Sequence, residues 1–197
     1  PPRSTLFPYT TLFRSGKAVA PSHPLSFRRI AFEKFLNSLN EKSDINLEQV
    51  YFPDETNIEQ IPKIIEEIGG IDTVYGGIGI HGHLAFNEPE LGIKEKGCRK
   101  VRLNDFTITI NAIRAECGGN IANFPREAFT LGLKEILAAK KIRLYCRNGT
   151  HYDWANTILR IALFAEPGDD FPVTHIRDRD YVIITDEFTL ARPKNII

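Results

Sequence analysis

The sequence predicts an α/β fold with a mostly parallel sheet. Two observations carry that reading. Apolar residues recur at helical spacing over 24–39 and again up to Ile68. Short β-rich runs, Val50-Tyr51-Phe52 and 71–77, alternate with those helices, and this strand-helix-strand rhythm is that of parallel pairing.

The elements follow in order. Ser22 is placed to cap a helix that starts near Pro24, since proline is tolerated in a first helical turn. Phe27, Ile30, Ala31, Phe35 and Leu39 give that helix its apolar stripe. Val50-Tyr51-Phe52 is a short strand ended by Pro53. Thr56 or Asn57 caps a second helix, with Ile61, Ile64, Ile65 and Ile68 inward and Gly69-Gly70 as its stop. Ile71 to Gly77 reads as a buried strand running into a glycine-rich turn, and Lys100–Leu103 as another strand. Residues 106–114 are ambiguous: Thr107-Ile108-Thr109-Ile110 alternates like a strand. Strands are predicted at 128–131, 141–146 and 180–185, and helices at 133–139 and 153–164. Trp154 is expected in the core, and Asp186 as a loop carboxylate.

Length and composition bound the function. A chain of 197 residues is one domain's worth, with room for a substantial core. The 25 basic and 25 acidic side chains cancel, so neither nucleic acid nor a membrane surface is an expected partner. No apolar run approaches the length of a membrane span. Cys98, Cys117 and Cys146 lack metal-type spacing and read as reduced thiols, which points to the cytoplasm. The first fifteen residues repeat Thr-Leu-Phe at 5–7 and 11–13 and have no secretory pattern. They resemble translated sequencing-adapter read-through. Residues 1–15 are therefore read as a non-native stub outside the fold, and 16–197 as a single α/β domain. The sequence has no methionine, and none at position 1, as expected of a chain that does not start at its natural initiator.

Chemistry concentrates between Tyr75 and Pro89, where Tyr-Gly-Gly-Ile-Gly-Ile-His-Gly-His-Leu-Ala-Phe-Asn-Glu-Pro follows a strand. Gly77, Gly79 and Gly82 allow main-chain N–H groups to face a substrate. His83 suits proton transfer, because an imidazole titrates near neutral pH; the structural alternative is a histidine that bonds backbone in a tight turn. Glu88 is placed to orient that ring, and the Asn87 amide to meet a substrate hydroxyl; alternatively Asn87-Glu88-Pro89 only makes a turn. Two rival patterns overlap the loop. Gly77-x-Gly79-x-x-Gly82 matches a dinucleotide fingerprint, but Asn87-Glu88-Pro89 opens no clean helix. His81, His83 and Glu88 have the spacing of a cupin metal site, against which the long amphipathic helices stand.

The stretch Gly77 to Pro89 resembles the signature loop of glucosamine-6-phosphate deaminases (isomerases), which share a fold with 6-phosphogluconolactonases. Ser22-His23-Pro24, Phe129-Thr130-Leu131-Gly132 and Tyr181 to Asp186 are similar to further segments of that family. The resemblance implies a three-layer α/β/α Rossmann-like sandwich that lacks its first βα units, with the site at the carboxyl ends of the strands. It implies conversion of glucosamine 6-phosphate and water to fructose 6-phosphate and ammonia, with no cofactor or metal and a sugar phosphate as partner. A homo-oligomer is expected of the intact parent. By the resemblance His83 opens the sugar ring, residues 106–114 are helix or turn, Arg114 lies near the family's phosphate-binding arginine (the alternative being a solvated surface arginine), and His23 falls near the site.

Three departures count against activity in this chain. His81 stands where the family has an aspartate, so a cationic group rather than a carboxylate neighbours His83, and the site is either retuned for another phosphosugar or binds without turning over. The family's lysine is missing from 147–156. The family's phosphate loop and the aspartate after it belong before residue 20 and are absent. The chain is therefore expected to be an inactive fragment with uncovered apolar surface and a tendency to self-associate. A non-catalytic sugar-phosphate binder is the alternative, and a lactonase the third reading. His151 and His175 are read as surface or capping groups.

Overall fold

A computed structural model describes residues 5–7, 9–12, 16–40, 46–119, 121–147 and 153–195. Eight strands occur among them: β1 Thr5–Leu6, β2 Tyr9–Leu12, β3 Val50–Tyr51, β4 Thr73–Gly77, β5 Arg99–Arg102, β6 Glu127–Thr130, β7 Lys141–Tyr145 and β8 Tyr181–Ile184. The α-helices are α1 Phe27–Ala31, α2 Asn37–Asn40, α3 Ile61–Glu67, α4 Asp105–Arg114, α5 Leu133–Leu137, α6 Trp154–Phe164 and α7 Glu187–Leu190. They gather into two compact units, Pro1–Gly69 with Cys98–Leu131, and Gly70–Gly97 with Gly132–Ile197.

In the first unit β1 pairs parallel with β3, and β2-β6-β5 form an antiparallel sheet. The residues set aside as a stub thus take part in the pairing, through Thr5, Leu6 and the strand Tyr9–Leu12. Phe7 anchors the unit's aromatic core with Ala31, Leu36 and Phe52, and Phe27, Phe32 and Val50 pack around them.

The first helix begins later than its sequence suggests. Ser26, not Ser22, caps α1, and its hydroxyl accepts from the Arg29 N–H at 3.2 Å. A π-helical turn over Phe32–Leu36 then carries the helix into α2. That turn absorbs one extra residue and rotates the stripe. Leu36 becomes buried, while Ile30, Phe35 and Leu39 stay partly exposed. α3 starts later than the sequence suggests: Gln60 stands at its N-cap without a side-chain bond, and Asp54 holds the preceding turn, its Oδ1 accepting from the Thr56 and Asn57 N–H groups at 2.8 and 3.1 Å.

The ambiguous stretch 106–114 is helical. Asn104 caps it by accepting from the Thr107 N–H at 2.9 Å. Thr107, Ile108 and Ala112 then bury at helical spacing, which outweighs the local β preference.

The second unit is the α/β part. β4, β7 and β8 run parallel, with Tyr75 opposite Arg143 and Tyr145 opposite Ile184. Alternation divides this sheet into two faces. Ile142 and Leu144 face inward and are buried. Buried residues of α6 (Ala155, Ile158, Leu159, Ala162) and of α5 (Leu133, Ile136, Leu137) supply the rest of this core. The opposite face leaves Tyr75, Tyr145, Val182 and Ile184 exposed. No helix among the described residues is long and apolar enough to cross a membrane.

Candidate functional site

The loop that leaves β4 is built by short-range bonds. Ile78 N–H donates to Tyr145 O at 3.1 Å and so carries the sheet one residue past Gly77. The chain then turns: Gly79 N–H donates to His83 O at 3.0 Å, and Gly82 N–H to Gly79 O at 2.8 Å. Gly82 takes φ +67°, which L side chains rarely adopt. Leu84 bridges back to Ile78 and forward to Asn87.

His83 is 9 % exposed. Its ring lies over the Gly79 backbone, so a β-carbon at Gly79 would overlap Nε2, Cε1 and Cδ2. The missing side chain of Gly79 therefore makes room for the imidazole of the same loop. Sequence reasoning assigned that gap to a ligand. The His81 ring is half-buried, its centroid 6.1 Å from that of His83 and its plane tilted by 33°.

Asn87 is buried, and its amide Nδ2 donates to Leu84 O at 3.0 Å. With the Asn87 N–H on the same carbonyl at 3.1 Å, this closes a four-residue turn. Ala85 has φ +52°, a left-handed conformation that ordinarily calls for glycine in this turn position. It is the strained residue of the loop, and the apolar name of residue 85 hid it. Ala85→Gly is expected to stabilise the unit by roughly 0.5–1 kcal/mol, the relief of left-handed strain less the added freedom of the unfolded chain. Urea unfolding midpoints measure it.

Glu88 sits half-buried on the outgoing arm, and Gly77 is exposed at the end of β4. Arg114 is an exposed residue at the last turn of α4, in the first unit, whereas the loop belongs to the second. His23, also in the first unit, is half-buried and accepts the Leu25 N–H on Nδ1 at 3.1 Å, a local turn contact. Asp186 caps α7, accepting the Thr189 N–H at 2.8 Å, and Trp154 is half-buried at the start of α6. His175 is not a surface group: its side chain is 10 % exposed and faces Asp169. Residues 148–152, with His151 and part of the stretch where the lysine was sought, lie outside the described residues.

Beyond Gly82 the chain makes a turn and two bridges rather than a helix, so the geometry of a dinucleotide loop does not form. Among the described residues no three His, Cys, Asp or Glu side chains gather as a metal site requires.

No family model matches the chain. A glucosamine-6-phosphate deaminase of Thermoanaerobacter sp. (strain X514) is 36 % identical over 132 residues, 64 % of this chain and 49 % of that protein. Over that stretch the chain is similar to a glucosamine-6-phosphate deaminase. Glucosamine-6-phosphate deaminase 2 of Bacillus subtilis (strain 168) is 28 % identical over 180 residues, 88 % of this chain and 68 % of the relative. A deaminase of Caenorhabditis elegans is 33 % identical over 135 residues and is spanned to 48 %. The chain thus spans about half the length of the first curated relatives it matches. A solved monomeric glucosamine-6-phosphate deaminase of the NagB superfamily superposes with a TM-score of 0.79 at 22 % identity, over 94 % of this chain and 73 % of that one. The 6-phosphogluconolactonase of Thermotoga maritima follows at 0.62 and 14 %, over 93 % and 72 %. The fold is therefore the Rossmann-like α/β fold that deaminases and lactonases share.

Proposed function

We propose that the parent of this chain deaminates and isomerises glucosamine 6-phosphate, giving fructose 6-phosphate and ammonia. The observation that supports this most is the seat of His83. A buried histidine seated over a glycine, on a loop at the carboxyl end of a parallel strand, suits a group that must present one nitrogen to a bound sugar. In this reading His83 passes a proton to the ring oxygen and opens the sugar ring. Proton transfer from C2 to C1 follows, and water replaces the amine at C2 as ammonia leaves. Glu88 would orient His83, and Gly77, exposed at the end of β4, would line the substrate site. A cytoplasmic location and a homo-oligomeric parent belong to the same proposal. The base for the second proton transfer would come from sequence upstream, so this chain by itself is proposed to be nearly inactive.

His81 supports a second reading, a sugar-phosphate binder that does not turn over. An imidazole with its centroid 6.1 Å from that of His83 replaces the carboxylate of the resembled enzymes. It removes a fixed negative charge that would stabilise an imidazolium.

Ammonia release from glucosamine 6-phosphate, measured on a clone extended through the upstream gene sequence, separates the two. Turnover that falls roughly 10²–10⁴-fold in His83→Ala is the expected result for an acid–base residue. Calorimetric binding of the sugar phosphate without ammonia release would leave the binder. Neither binding nor turnover would sink both.

A further inference from the structure

A histidine–carboxylate pair outside the loop holds the loop from behind. The residues from Gly168 to Ile176 fold into a turn followed by a 3-10 helix, Pro172–Ile176. The buried Thr174 ties this segment to itself: its hydroxyl donates to Phe171 O at 2.7 Å and accepts from the Gly168 N–H at 2.9 Å. The 3-10 helix packs on α5 and α6, so it is anchored in the core of the second unit.

Two bonds then reach the loop. Val173 N–H donates to Gly82 O at 2.7 Å. The Gly92 N–H donates to Asp169 Oδ2, also at 2.7 Å. The other carboxylate oxygen of Asp169, Oδ1, lies 3.1 Å from His175 Nε2. Contact at Gly82 is close as well: a β-carbon there would meet Val173 Cγ1 at 3.1 Å and Phe171 Cβ at 3.3 Å.

The tethered residues are the flexible ones. Gly82 directly precedes His83, and Gly92 closes the stretch that contains Glu88. Both hold positive φ, +67° and +71°. Glycine moves freely among many backbone states, so such a conformation persists only when neighbours hold it. A carboxylate accepting from two sides, one donor being an imidazole fixed by burial, is a stiff tether. The Asp169 carboxyl is held below the usual carboxylate range, first by the Gly92 N–H and further by His175, so the acceptor is charged at neutral pH.

We propose that Asp169 and His175 are positioning residues: His175 aims the Asp169 carboxylate, Asp169 holds Gly92, and with Val173 on Gly82 they keep the His83 ring over Gly79. The consequence for turnover rests on the deaminase reading; the tether itself does not.

Amide hydrogen exchange on the full chain, read by mass spectrometry, tests the tether without any assay of activity. Asp169→Ala should speed exchange across residues 79–92 roughly tenfold or more, the loss of a charge-assisted bond, while residues 154–164 of α6 stay protected. His175→Ala should give a smaller rise, and His175→Gln, which keeps an N–H donor, should return the loop toward the wild-type rate. Unchanged loop exchange in Asp169→Ala overturns the proposal. So does an equal rise in α6, which would mark general unfolding. If His175→Gln does no better than His175→Ala, His175 is not the aiming group. In the extended clone, Asp169→Ala should lower kcat and leave KM within about twofold, because the altered group positions the acid rather than binding the sugar. Exchange that responds as expected in a protein without turnover would reject the deaminase reading and keep the tether.

Discussion

Gly79→Ala is expected to remove the function of the loop as thoroughly as His83→Ala does. The added methyl group would occupy the space of the imidazole, overlapping three of its ring atoms. The obstruction comes from within the loop, because Gly79 and His83 are tied by a 3.0 Å bond between Gly79 N–H and His83 O. Either the ring leaves its seat or that bond breaks. Ring displacement of an ångström or more costs on the order of 10²-fold in a positioned acid–base step. Overpacking should also destabilise the unit by about 1–3 kcal/mol. Ammonia release by the extended clone, with a thermal melt beside it, reads both effects. A Gly79→Ala variant with wild-type turnover would mean that the seat of His83 is irrelevant to the chemistry.

Phe7→Ala is expected to carry the largest stability cost in the first unit. Phe7 is 5 % exposed. Its ring lies parallel to that of Phe52 at 4.3 Å between centroids, stacks on Phe35 at 5.6 Å and meets Phe27 edge-on at 6.0 Å. Its N–H donates to Tyr51 O at 2.8 Å. Truncation of such a ring costs about 3–5 kcal/mol, from lost transfer energy, the cavity and the aromatic contacts. Urea unfolding of the variant measures it. An unchanged midpoint would show that residues 5–7 contribute nothing to stability and would favour the reading of 1–15 as a stub outside the fold.

The strands and the loop were legible in the sequence where the signals are local. Gly69-Gly70 before an apolar run, and glycines after it, marked β4 at nearly its observed bounds. The chemistry-bearing residues of the loop stood out because His, Asn, Glu and Pro rarely crowd so closely after a strand. Helix 27–40 was visible too, but its phase was not: the π turn at Phe32–Leu36 decides which residues are buried, and an apolar stripe with Phe35 beside Leu36 fits either phase. The stretch 106–114 stayed open between strand and helix for a related reason. Alternating Thr and Ile satisfies the period of a strand, and only the Asn104 cap with burial of Ile108 and Ala112 settles it as helix.

His175 was misjudged because its partner is distant in function, not in chain. Asp169 lies six residues away, but what the pair holds, Gly92, lies 77 residues from Asp169. No periodicity or motif links those positions. Likewise the role of Gly79 was read as openness to a ligand, whereas a ring four residues on fills the space.

By itself, the sequence determined the α/β class, the order of most elements and the glycine-rich loop after β4, because turn propensity, capping and apolar period act between residues close along the chain. Tertiary structure alone decided that Phe7 is core, that His83 rests over Gly79, and that Asp169 reaches Gly92. The first and last depend on packing and hydrogen bonds between segments far apart in sequence, and the seat of His83 on the path its loop takes in space; in each the free energy of contact is set by shape and distance that no local pattern encodes.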